Sequence, residues 1–154
     1  MLILLVHNFK KGENKMLYDK ENLFSENQAI TADAASTNVV KLAQGQLKEV
    51  AFGTPIPLRI QVTETFTGAT SVEIKVQTDD NEAFSSPTTL ATTGAISGSD
   101  LVAGYVAPIN FIPKGNEGYM RLYYDVTVGS GGSISAGKIT AGIVAANDGS
   151  YQDM

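Results

Sequence analysis

Few residues of this chain have side chains suited to catalysis or metal binding. The sequence contains no cysteine and one histidine, which excludes a disulfide framework, a thiolate metal site and a cysteine nucleophile. The histidine, His7, lies within the first fifteen residues. Without it, no serine–histidine pair can activate a nucleophile. We therefore expect no catalytic residue, no cofactor and no enzymatic activity.

The densest acidic cluster is Asp79-Asp80-Asn81-Glu82. Calcium prefers several oxygen ligands, but no glycine or distant glutamate follows in the register of an EF-hand. Paired carboxylates could also hydrolyse a glycosidic bond, for which they need a defined separation and a sugar-binding groove. The chain has no tryptophan, which weakens a sugar-stacking platform. We interpret the cluster as a solvated turn and predict no metal site.

One glycine-rich stretch, residues 129–133, resembles a phosphate-binding loop only in its glycine content. It lacks the Gly-Lys-Ser/Thr ending and the helix that follows such a loop. A flexible hairpin loop is the simpler interpretation.

Size and charge limit the remaining classes of function. The chain has 154 residues, of which 43% are hydrophobic and 18% charged, which fits one domain with a sizeable core. Its net charge of −5 argues against binding to nucleic acid or to an anionic membrane. No apolar run is long enough to cross a bilayer.

Alternating apolar and polar residues predict a β-rich fold from about Thr37 onward. The alternation runs through residues 58–63, 70–77, 105–111, 120–128 and 139–145. Residues 66–69 are predicted to form a hairpin loop between the first two runs, and Pro108 places the third at a sheet edge or bulge. Short strands separated by turns predict an all-β fold, an antiparallel β-sandwich or barrel. A jelly roll is the first choice, and an immunoglobulin-like sandwich remains open.

The N-terminal segment, up to residue 35, has a different pattern. Residues 16–35 show no sustained helical or strand period, which predicts an extended arm with large anchor side chains. We expect residues 1–15 to be a translated leader before a start at Met16, the alternative being a real arm that is disordered or contacts a partner. The β-sandwich domain is then predicted to cover residues 36–154.

Arg59 and Arg121 are predicted to lie on the polar faces of their strands, and Tyr119 and Tyr123 share the face of Arg121. Tyrosine and arginine are enriched in protein interfaces, so this row is a candidate contact surface. The alternatives are an ordinary aromatic-lined sheet face and a second buried layer.

Four stretches, in order, resemble the Bbp16-type capsid cement proteins of tailed phages. They are MLYDKENLFSENQAIT from Met16, QTDDNEAFSSPTTL from Gln77, FIPKGNEGYMRLYYDV from Phe111 and GKITAGIV from Gly137. None of them is a catalytic fingerprint, and residues 1–15 depart from the family pattern. Their joint order covers nearly the whole body of the chain.

The resemblance implies a jelly-roll cement (decoration) protein on the outer capsid surface of a virion, made in the bacterial host cytoplasm. Such a protein clamps neighbouring major capsid subunits and needs no cofactor. Its partners would be the major capsid protein and further copies of itself, as a dimer or trimer. The contact residues inferred from composition are Leu17, Tyr18, Leu23, Phe24, Arg59, Tyr119, Arg121 and Tyr123. A lectin-like or receptor-binding module and a small glycosidase-like enzyme are the alternatives.

Overall fold

The computed structural model describes residues 18–41, 53, 55–115 and 117–144. Within these ranges the ordered elements are all β-strands, and no helix is long and apolar enough to cross a membrane. The strands are β1 (Tyr18–Ala29), β2 (Ala34–Ala35), β3 (Val40–Lys41), β4 (Leu58–Thr67), β5 (Ala69–Asp79), β6 (Thr88–Ser97), β7 (Tyr119–Val128) and β8 (Ala136–Val144).

Two antiparallel sheets enclose a single core. The three-stranded sheet has the order β1-β8-β4, and the five-stranded sheet has the order β2-β7-β5-β6, with β3 also paired to β7. Residues of both sheets belong to one continuous apolar cluster. The prediction of an all-β antiparallel sandwich is therefore confirmed, while the jelly-roll connectivity stays a prediction.

Side-chain alternation explains how the sheets face each other. In β4, Leu58, Ile60 and Val62 are buried and the residues between them are partly exposed. In β5, Ile74 is only 1% exposed and its neighbours on either side are partly exposed. Successive side chains of a strand point to opposite faces, so each sheet turns its apolar face towards the other, as the sequence predicted.

The extended arm is the main correction. Tyr18–Ala29 forms β1, an edge strand of the three-stranded sheet, so the sandwich begins well before residue 36. Tyr18 pairs with Val144 and Leu23 pairs with Gly142, so five steps along β1 correspond to only two steps along β8. Such bulges shift side chains between the two faces, which removes the alternation that marks a strand in the sequence.

The bulged strand buries two residues that were expected to contact a partner. Phe24 is fully buried in the common core. Leu23 is 7% exposed and packs over Gly142, where an added Cβ would approach Leu23 Cδ2 to 2.7 Å. Neither side chain is accessible to a partner in this fold. Leu17, the first of the expected anchors, lies outside the described residues.

The predicted hairpin at residues 66–69 is also wrong. β4 and β5 belong to different sheets, and the chain crosses between the sheets at Gly68. Gly68 has φ +95°, and a Cβ there would lie 2.1 Å from the Ser133 carbonyl oxygen. Only glycine tolerates both the positive φ and this close approach. Two runs of alternating apolar and polar residues joined by a short loop can thus be either a hairpin or two strands of different sheets.

The run at residues 105–111 is not a regular strand. It meets β4 through an isolated bridge at Gln61–Val106 and the residue before β4 through one at Pro57–Phe111, and the Ala107 amide donates to the Ile60 carbonyl oxygen at 3.0 Å. Pro108 has no amide to donate, so the segment follows the edge of the sheet without forming a continuous ladder. The edge position was predicted correctly, but the strand was not.

A buried hydrogen-bond network connects the two sheets. The Tyr124 hydroxyl on β7 lies 2.7 Å from Ser25 Oγ on β1, and Ser25 Oγ donates to Gln28 Oε1 at 2.6 Å. Because the Ser25 proton points to Gln28, Tyr124 donates to Ser25. Gln28 in turn accepts from the Thr37 amide and donates to the Ala35 carbonyl oxygen. Burial raises the pKa of Tyr124 far above its ordinary value, and the bond to Ser25 offsets part of this effect.

We expect Tyr124→Phe to lower the free energy of unfolding by about 1–3 kcal/mol, because the buried Ser25 hydroxyl loses its donor. The matched control is Tyr123→Phe, on the opposite, partly exposed face of the same strand, which should change stability by less than about 0.5 kcal/mol. Urea unfolding followed by circular dichroism measures both. Equal effects of the two substitutions would show that the network does not hold the sheets together.

Candidate interaction surface

The outer face of the five-stranded sheet carries the row of tyrosine and arginine residues. Tyr119, Arg121 and Tyr123 are partly exposed, and they alternate along β7 with the buried Met120, Leu122 and Tyr124. Because β7 pairs with β5 on one side and with β2 and β3 on the other, the row lies on a central strand, away from the edges of the sheet. The prediction that these three residues share one face is confirmed, and they do not form a second buried layer.

Three neighbours contact the guanidinium of Arg121. Its Nε donates to Gln77 Oε1 at 2.9 Å, across the register pair Gln77–Arg121 of β5 and β7. Its guanidinium carbon lies 4.2 Å from the centroid of the Phe84 ring and 5.7 Å from that of Tyr123. Cation–π stacking and a hydrogen bond from Nε together restrict the plane of the guanidinium.

Phe84 reaches Arg121 from the turn between β5 and β6. Its φ is +51°, an unfavourable backbone conformation for a bulky residue, and its side chain is only 6% exposed. The Phe84 amide donates to the Asn81 carbonyl oxygen at 3.0 Å. The turn therefore carries backbone strain at the residue whose ring supports Arg121.

The Asp79 carboxylate stabilises this turn by accepting hydrogen bonds from backbone amides. Its Oδ1 accepts from the Asn81 amide and its Oδ2 from the Ser86 amide, both at 2.9 Å. These bonds hold the pKa of Asp79 below its ordinary value, the Asn81 amide contributing most. The expectation of a solvated turn holds for the exposed Asp80 and Glu82 but is wrong for Asp79, which is 2% exposed. The described residues contain no group of three or more possible metal ligands.

Other cations on this face have different partners. Lys75 lies 2.6 Å from Asp125 Oδ2 and 3.7 Å from Glu73 Oε2, and the pKa of Lys75 is raised, chiefly by the bond to Asp125. These groups are partly exposed, so the ion pair contributes little to stability. Lys41 Nζ lies 5.2 Å from the centroid of the Tyr119 ring, which extends the cation–aromatic contacts to the β3 side of β7.

Arg59 and Tyr18 lie on the other sheet. Arg59 follows the buried Leu58 on β4 and donates from Nε to Gln61 Oε1 at 3.2 Å. The Tyr18 hydroxyl is buried and lies close to the Arg59 side chain. Burial raises the pKa of Tyr18, and the nearby Arg59 charge offsets part of this rise.

The expected contact residues therefore do not form one surface. Tyr119, Arg121 and Tyr123 lie together on the five-stranded sheet, whereas Arg59 and Tyr18 lie on the three-stranded sheet. Phe84 and Gln77 were missed as members of the first group. Gln77 could have been found from strand pairing, but the position of Phe84 depends on a turn conformation that no sequence pattern marks.

The sequence matches the Bbp16 family over residues 24–143. This chain belongs to the Bbp16 family. The matched region contains β2 to β7 whole, the second half of β1 and all of β8 except Val144, so it covers both sheets of the sandwich. Bbp16 is a phage-related family. No curated protein matches the chain.

The turn at Asp79 predicts a pH dependence. A carboxyl group whose pKa is depressed in the folded state stabilises the protein fully above its ordinary pKa, near 3.8. That contribution is lost as the pH falls towards the folded-state pKa. Asp79→Asn should therefore lower the free energy of unfolding at pH 6, and the difference from the unmodified protein should shrink at pH 3.

Urea unfolding at the two pH values measures this difference. The matched control is Asp80→Asn, at the exposed neighbouring position of the same turn, which should have little effect at either pH. A destabilisation by Asp79→Asn that is equally large at pH 3 would contradict the role of the charged carboxylate.

Proposed function

We propose that this protein is a capsid cement protein, which binds the outer surface of an assembled phage capsid and holds neighbouring major capsid subunits together. The observation that carries the proposal is the match to the phage-related Bbp16 family over residues 24–143. The role is structural: recognition of a protein surface, with no chemical step and no cofactor. The protein would be located on the outside of the virion.

The arrangement of the two arginines supports a clamping role. Arg121 and its aromatic neighbours occupy the outer face of one sheet, while Arg59 and Tyr18 lie on the other sheet. Two such surfaces on opposite sides of one sandwich can contact two different neighbours. Arginine and tyrosine are the residues that most often dominate binding energy at protein interfaces.

The position of β1 changes how the contact is made. Because β1 is part of the sheet, binding does not require an arm that orders on the capsid, and its entropy cost is avoided. A contact through the few side chains of one surface should bind weakly on its own. Contacts with two subunits, or with a second copy of this protein at a symmetry position, add up through a high effective concentration.

The proposal predicts binding to expanded capsids that lack the protein and no binding to free major capsid subunits, because only the assembled shell presents two subunits at the required spacing. Co-sedimentation with purified capsids measures binding, and the temperature at which capsids release their DNA measures clamping. Bound protein should raise that temperature.

The control is the same protein after heat denaturation, which should leave the release temperature unchanged. Absence of binding to the capsids of its own phage would overturn the proposal. Binding to a glycan array in place of capsids would favour the lectin-like alternative.

A further inference from the structure

Arg121 has hydrogen-bonding capacity that the described part of the chain does not use. A guanidinium has five N–H donors, and Nε donates to Gln77. The Nη atoms have no hydrogen bond to any described residue, and no described carboxylate lies within 4.0 Å of the guanidinium. The residue is partly exposed, so its side chain can be reached by a partner.

Arg121, like Arg59, has no carboxylate partner among the described residues, whereas Lys75 and Lys138 do. The chain has 16 acidic residues against 11 lysines and arginines, so acidic partners are abundant. Lys75, on the same face, pairs with Asp125 and Glu73, and Lys138 on β8 pairs with Glu64. At the position across from Arg121 on β5 the chain has Gln77, the neutral counterpart of glutamate.

The contacts of Arg121 with Phe84 and Gln77 determine which part of the guanidinium a ligand can bind. Phe84 covers a face of the guanidinium and Gln77 occupies Nε, which leaves the edge formed by the two Nη atoms. That edge matches the two oxygens of a carboxylate in a bidentate pair. Phe84 has a strained, positive φ, in a turn held by Asp79. The fold therefore keeps the Phe84 ring against Arg121 although the backbone conformation is unfavourable.

We propose that Arg121 is the anchor for an aspartate or glutamate side chain of the partner protein, received end-on by the two Nη atoms. This inference rests on the proposed function, in which the partner is a major capsid subunit. A phosphate-rich partner fits less well, because Glu73 and Asp125 share the face and nucleic acid binding requires several clustered cations.

The sharpest test is Gln77→Glu, which places a carboxylate of the protein itself beside Arg121 without changing side-chain size. It should weaken binding to purified capsids by about tenfold or more, because the internal carboxylate competes with that of the partner. Arg121→Lys, which keeps the charge but loses the planar pair of donors, should weaken binding to a similar extent.

The matched control is Lys138→Gln, which lowers the net charge by one, as Gln77→Glu does, but acts on the other sheet; its capsid affinity should stay within about twofold of the unmodified protein. Circular dichroism confirms that each variant is folded. A carboxylate anchor also predicts that Arg121→Glu is rescued by an Asp→Arg or Glu→Arg substitution on the capsid subunit.

The outcomes separate the two claims. If the unmodified protein binds capsids and Gln77→Glu and Arg121→Lys bind within twofold of it, the anchor is wrong and the cement function stands. If the unmodified protein binds no capsids, the proposed function fails and the anchor fails with it.

Discussion

The hydrogen bond between Tyr124 and Ser25 is the polar contact that fixes how the two sheets of this sandwich meet. Apolar packing between sheets has little directional preference, whereas a buried hydroxyl left without a hydrogen-bond partner costs about 1–3 kcal/mol of stability. Since Tyr124 is fully buried on β7 and Ser25 on β1, only one relative placement of these strands satisfies both. Gln28 extends the constraint to the β2 segment through the Ala35 carbonyl oxygen.

The same strand carries the candidate contact surface on its other face. Tyr124 and Tyr123 are adjacent in β7, one in the core and one on the outer face. Because β7 is central in its sheet, the backbone that carries Arg121 is hydrogen-bonded to strands on both sides. The neighbouring strand β5 places Gln77 beside Arg121. A side chain held in this way loses little further conformational entropy when it binds a partner, so more of the contact energy appears as affinity.

Alternation in the sequence predicted the sandwich and the faces of β4, β5 and β7, because each of these strands is regular and has one apolar side. It failed for β1, where bulges break the period, and it did not predict β6, whose Thr-rich sequence has no apolar alternation. The crossing at Gly68 depends on contact with Ser133, which is distant in sequence. For the site, the row on β7 was predictable, whereas the stacking of Phe84 on Arg121 follows from a turn conformation with positive φ.

Cryo-electron microscopy of the mature phage particle tests the central claim most directly, because it shows both whether the protein is on the shell and which face it uses. We expect a two-sheet sandwich on the outer capsid surface, with the outer face of the five-stranded sheet against a major capsid subunit and Arg121 opposite a carboxylate. A shell without this sandwich, or a bound sandwich with Arg121 facing solvent, would contradict it.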